Sequence, residues 1–158
     1  MKKSVAVFAL LLVSTESRPA TSGDVAVIVN AKNDTRDVSF RDLERIFRQE
    51  KQYWGDGKKI YLVMQETGSL EKEVVLAKVF HMDEATLKRF WLSKMFRGEI
   101  ASFPKTLSSA GSVKQFVEKV PNAIGFVDAS LADPDVELLK IDGRLPGAAG
   151  YPLSTAAK

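Results

Sequence analysis

The chain has 158 residues, enough for one ordinary domain and too few for two. With 45% hydrophobic and 27% charged residues it reads as a globular chain, which excludes a disordered one. The absence of Cys removes disulfides, thiolate nucleophiles and Cys-ligated metals, and the single histidine, His81, excludes a His-rich metal site.

The N-terminus has the form of a secretion signal. Lys2 and Lys3 precede an apolar run from Ser4 to Val13. Roughly 10 apolar residues do not cross a bilayer, which takes about 20. Residues 1–22 are therefore expected to be signal and leader, with cleavage near Ala20 or Ser22 and export to the periplasm. No membrane span is expected to survive cleavage, and without Cys there is no lipoprotein anchor. Lys2, Lys3, Arg18 and Glu16 leave with the signal, so the net charge falls from +3 to +1. The basic excess is then mostly targeting, and nucleic acid is not expected as a partner.

Residues 23–158 are expected to form one domain. Asp24 to Asn30 (DVAVIVN) is an apolar β-branched run, the signature of a strand buried on both faces. Ser39 is placed to cap a helix, with Asp42 three residues on to reach back as in a capping box. Phe40, Leu43, Ile46 and Phe47 then form one apolar stripe. Arg41, Arg45 and Arg48 lie on other faces, as a solvated surface or as an anion or partner patch. Gly55-Asp56-Gly57 is a turn between Tyr53-Trp54 and a second strand, Ile60 to Met64.

Leu70 to Phe80 reads as a helix. Asp83 caps the next one, on which Leu87, Phe90, Trp91 and Met95 keep helical spacing and Gly98 supplies the stop. That aromatic group, with Phe96, reads as core or as a partner-facing patch. Ser108 or Ser109 opens a helix carrying Val113, Phe116, Val117 and Val120, and Pro121-Asn122 ends it. Ala123 to Val127 is a third strand and Val136 to Ile141 a fourth. From Asp142 the tail is irregular. Strands alternating with helices predict a layered α/β domain with a mainly parallel sheet and right-handed crossovers.

Ligands of such sheets sit beyond the carboxyl ends of the strands, near helix N-termini. The segment answering that description is Gln65 to Glu71 (QETGSLE). Ser69 would cap the helix, leaving the first amides and the positive dipole end toward an anion. Thr67 adds a hydroxyl, and Gly68 allows close backbone approach. Ordinary capping explains Ser69 equally well. Glu66 and Glu71 oppose an anion, each costing on the order of 4 kcal/mol at 4 Å and an effective dielectric of 20.

His81, at a helix end, reads as a surface or capping residue. Asp133 and Asp135 flank Pro134 in a turn and do not make a calcium loop. No nucleophile stands with a base, so no enzymatic constellation is present and no cofactor or metal is expected.

The ordered set resembles small secreted proteins related to the phosphate-binding receptors of ABC importers, with a type II periplasmic binding protein fold. The carrying residues are Val27-Ile28-Val29-Asn30, Phe40-x-x-Leu43-x-x-Ile46-Phe47, Tyr53-Trp54-x-Asp56-Gly57-x-x-Ile60, Phe80, Phe90-Trp91, Phe96-Arg97-Gly98 and Val120-Pro121-Asn122-Ala123-Ile124-Gly125-Phe126-Val127. Ile141-Asp142-Gly143 and Tyr151-Pro152-Leu153 extend it, so the resemblance covers about residues 25–153.

The resemblance implies one lobe, whereas full receptors of that kind have two and hold phosphate between them. It also implies a phosphate loop resembling R-x-D-x-S-G-T at Gln65 to Glu71. Gln65 stands at the Arg position and Glu71 at the final Thr position; Ser69 keeps its role. The loss of a bidentate guanidinium and the gain of a carboxylate are expected to weaken phosphate binding severely. The implied site is Gln65, Thr67, Gly68 and Ser69, with Asn30 as a neighbour. The implied function is weak binding of a phosphate-like oxyanion. The alternative is a periplasmic protein–protein adaptor that kept the fold, using Trp54, Trp91 or the arginine face.

Overall fold

A computed structural model of the protein describes residues 23–155. The expected signal segment lies outside the described residues. In chain order the elements are β1 (Val25–Asn30), β2 (Asp37–Val38), α1 (Phe40–Phe47), β3 (Tyr61–Gln65) and α2 (Leu70–Val75), which runs on through a π-helical turn, Leu76–Phe80. Then come α3 (Glu84–Phe96), β4 (Lys105–Leu107), α4 (Ala110–Lys119), β5 (Ala123–Asp128), β6 (Val136–Leu138) and β7 (Lys140–Ile141), with a 3₁₀ turn at Ala129–Leu131.

Five strands make the central sheet in the order β4-β3-β5-β1-β6. β3 pairs in parallel with β4 and β5, while β1 runs antiparallel to both β5 and β6. Four of the five strands thus share one direction, and the mainly parallel α/β architecture is as expected. The sheet is a middle layer. Val27, Val29, Met64 and Phe126 pack on one face with Leu43 and Phe47 of α1, Val75 of α2 and Trp91 of α3. Ile28, Val63 and Val127 pack on the other with Val113 and Val117 of α4. Every residue of β1 is buried, which is why that strand reads as a continuous apolar run rather than an alternating one.

The helix starts follow the sequence signals. Ser39, Ser69, Asp83 and Ser109 each accept a hydrogen bond from the amide three residues on, at 2.7 to 3.1 Å. Asp42 does not complete a capping box, because its carboxylate is engaged by Arg45 and by Lys51. The α2 helix ends at His81, whose φ of +54° breaks the spiral. Its ring Nε2 lies 3.1 Å from Glu44 of α1. Gly98, at φ +70°, ends the run after α3 as expected.

Other expectations need correction. The run 136–141 is not one strand. Leu139 is fully buried, and the chain then leaves the main sheet so that β7 pairs in parallel with β2. β2 and β4 were not foreseen; both are two or three residues long, too short for a period to show. The aromatic group on α3 divides. Trp91 is buried, while Met95 and above all Phe96, at 87% exposure, face solvent. The tail beyond Asp142 is irregular but anchored: the Tyr151 hydroxyl donates to the Val25 carbonyl at 2.8 Å, and the Val25 amide to the Leu153 carbonyl at 3.1 Å.

Candidate functional site

The parallel direction of β3, β4 and β5 brings three chain segments to one end of the sheet. β3 leads into the turn Glu66 to Ser69 and then α2, β4 leads into Ser108-Ser109 and then α4, and β5 leads into Ala129. The Glu66 amide donates to the Leu107 carbonyl at 2.9 Å, which ties the first two junctions together. Two helix N-termini, each with a serine cap, therefore open on the same end of the sheet. Each brings a positive dipole end there, and their first amides carry no partner within the helix. Thr67, Gly68, Ser108 and Ser109 are exposed on this surface. Gly68 has φ +102° and open space where a Cβ would stand, so an approaching anion meets backbone there. Ser108 and Ser109 were read only as a helix start. Their place beside Thr67 depends on the β3–β4 pairing, which a three-residue strand does not announce.

The expected site residues divide. Thr67, Gly68 and Ser69 stand together on the surface. Ser69 spends its hydroxyl oxygen as acceptor for the Lys72 amide, leaving its O–H for other use. Gln65 turns away into the core: it is 3% exposed and its Nε2 donates to the Phe126 carbonyl at 3.2 Å. It holds the strand end and offers nothing to a ligand. Asn30 is at the far end of the sheet. β1 runs against β5, so Asn30 lies beside Val136 and one step beyond the Val29–Ile124 pair, where β3 begins rather than ends. Its Nδ2 donates to the carbonyls of Val117 and Glu118, both at 2.8 Å, and its Oδ1 accepts from the Lys32 amide. Asn30 therefore closes the C-terminal end of α4 and is not a neighbour of the loop.

Lys72 was overlooked. It is buried, with Nζ donating to the Gln65 carbonyl at 3.1 Å and standing 3.6 Å from Glu84 Oε2. Burial pushes its pKa below the ordinary lysine value, against the pull of Glu84. Its cation supports the loop from beneath. The signal was available: Lys72 shares the i, i+3, i+4, i+7 stripe with Val75, Leu76 and Val79.

The surfaces considered for an adaptor also change. Trp54 and Trp91 are buried, at 5% and 6% exposure. Arg45 pairs with Asp42, and Arg48 donates to the Phe80 carbonyl, which leaves little of an arginine face. Among the apolar side chains that do reach solvent are Leu92, Met95, Phe96 and Phe103, the first three on α3. Among the described residues no group of His, Cys, Asp and Glu could hold a metal ion, and no helix is long and apolar enough to cross a membrane.

No family model and no curated protein matches the sequence. Solved structures do match the fold. The Clostridium perfringens protein solved with bound phosphate, described as a phosphate ABC transporter substrate-binding protein, superposes at a TM-score of 0.64 with 20% identity over 78% of this chain and 46% of its own. An ABC-type phosphate transport receptor from Vibrio cholerae gives 0.63 and 17%, over 78% of this chain and 48% of its own. PstS from Borrelia burgdorferi gives 0.63 and 16%, over 82% and 53%. The chain has the fold of these substrate-binding proteins and spans about half their length.

Proposed function

We propose that the protein is an exported, non-enzymatic solute-binding module that takes a phosphate-like oxyanion weakly at the shared start of α2 and α4. The observation that carries this reading is that two serine-capped helix N-termini open at the same end of the sheet, with Thr67 and Gly68 exposed at the first and Ser108 at the second. The likeness to phosphate-binding proteins, one of them solved with phosphate, supports the choice of ligand. Weakness follows from what the loop lacks. No guanidinium faces the anion, Gln65 is turned inward, and Glu66 and Glu71 repel it.

Calorimetric titration with phosphate and sulfate tests the reading. Dissociation constants near or above about 1 mM are expected, worth roughly 4 kcal/mol. Glu71→Gln should tighten binding several-fold, since it removes one repelling charge. Absence of binding at high phosphate in both proteins would refute it. Export is tested separately by intact-mass spectrometry of periplasmic material, where a mass retaining Met1 to Val13 would refute the signal.

A second reading, a periplasmic adaptor, is favoured by one observation: Phe96 stands 87% exposed beside Met95 and Leu92. Crosslinking from a photoreactive residue at position 96 tests it.

A further inference from the structure

A cavity of about 260 Å³ lies on the opposite side of β3 from α4, between α3 and the β3–β4 edge. It is separate from the oxyanion surface. Its walls include the apolar side chains of Leu87, Trp91, Leu92 and Phe103 and the charged ones of Lys72, Glu84 and Lys88. Glu84, Leu87, Lys88 and Trp91 come from one face of α3, at i, i+3, i+4 and i+7. Lys88 lies three residues before Trp91, under one helical turn away, which sets its ammonium group beside the ring.

We infer that this cavity binds a small aromatic monocarboxylate. The apolar walls suit a single ring against Trp91, Leu87 and Phe103. The lining holds two ammonium groups and one carboxylate, a net charge of +1 that selects a monoanion. Lys88 has no ion-pair partner among the described residues, so its charge is available to a ligand carboxylate. Glu84 Oε2 is buried against Lys72, 3.6 Å from its Nζ, so that ion pair is closed on itself and leaves Lys88 as the open charge. Size agrees: a cavity of ~150 Å³ accommodates benzene, so this one accommodates about ten to twelve non-hydrogen atoms. Inorganic phosphate, with no apolar surface, gains nothing from these walls.

The test titrates the protein with 3-phenyllactate, followed by tryptophan fluorescence and calorimetry. The expected dissociation constant is below about 1 mM, with 2-phenylethanol, which lacks the carboxylate, roughly tenfold weaker. Lys88→Ala should weaken 3-phenyllactate roughly fivefold. Leu92→Glu, at an exposed lip of the cavity, should abolish binding while thermal melts of both variants stay near the parent's. Saturating phosphate should leave the titration unchanged. Failure to saturate by about 10 mM, equal affinity for the alcohol, unaltered binding by both variants, or competition by phosphate would each overturn the assignment. The oxyanion reading is scored on phosphate alone, so either can fail without the other.

Discussion

Gly125 sits in the middle of β5, where α4 crosses the sheet, and replacing it with alanine should force the two apart. A Cβ there would stand 2.8 Å from Val113 Cγ1, 2.9 Å from Val63 Cγ1 and 3.2 Å from Val117 Cγ2. Carbon atoms rest at about 3.5–4.0 Å, so two of these contacts are short by about 0.6 Å or more. The three valines are β-branched, and the two on α4 have essentially one helical rotamer each, so they do not swing aside. The helix has to lift instead, and overpacking of this kind costs about 1–3 kcal/mol. A Gly→Ala change without a clash would stabilise by about 0.4–1 kcal/mol through the unfolded chain, so the sign itself is diagnostic. Urea denaturation followed by circular dichroism measures it. Val113→Ala removes the nearest clashing methyl, so the double variant should be more stable than the sum of the single effects by about 1 kcal/mol. A neutral or stabilising Gly125→Ala, or strictly additive effects, would refute the close approach of α4 to β5.

Three further outcomes are expected. Trp54→Ala should destabilise by about 3–5 kcal/mol in denaturant titration, since the ring is buried and its Nε1 donates to the Asn122 carbonyl at 3.1 Å; a loss under about 0.5 kcal/mol would mean the ring faces solvent. Asn30→Ala should cost about 1–3 kcal/mol by stripping the donor from the Val117 and Glu118 carbonyls, and should leave phosphate affinity unchanged. Arg97 and Lys94 hold the Glu99 carboxyl at about 2, against 4.5 for the free group. Its folded pKa is depressed, so protonation favours the unfolded chain. The contribution is present above about pH 4.5 and is lost as pH falls through about 2. Melting temperatures from pH 6 to 2 should therefore fall more steeply in the parent than in Glu99→Gln, and parallel curves would contradict the ion pairing.

How far the sequence reached can be seen in particular residues. Serines and Asp83 at the four helix starts were legible because a cap is a local bond between residues three apart. The buried strands were legible from their unbroken apolar runs. Strand direction was not: β1 looks the same parallel or antiparallel, yet its reversal is what carries Asn30 to the wrong end of the sheet. Gln65 failed for a different reason. Strand periodicity says which face a residue takes, but a buried glutamine bonded to the Phe126 carbonyl and an exposed one facing a ligand have the same neighbours in sequence. Lys72 was hidden by its type, since a lysine on a helix is expected in water, although its stripe of Val75, Leu76 and Val79 placed it inside. Ser108 and Ser109 joined the site only through the short β4 pairing. Phe96 fell outside because α3 ends there, where the apolar face no longer meets the sheet.

Two-dimensional ¹⁵N NMR during a phosphate titration tests the central claim most directly, because it reports which amides the anion touches as well as how tightly. Fast-exchange shifts are expected, confined to the amides around Thr67 to Glu71 and Ser108 to Gly111 and saturating near or above about 1 mM. Shifts centred elsewhere, saturation at micromolar phosphate, or no shift at all at these two helix starts would contradict it.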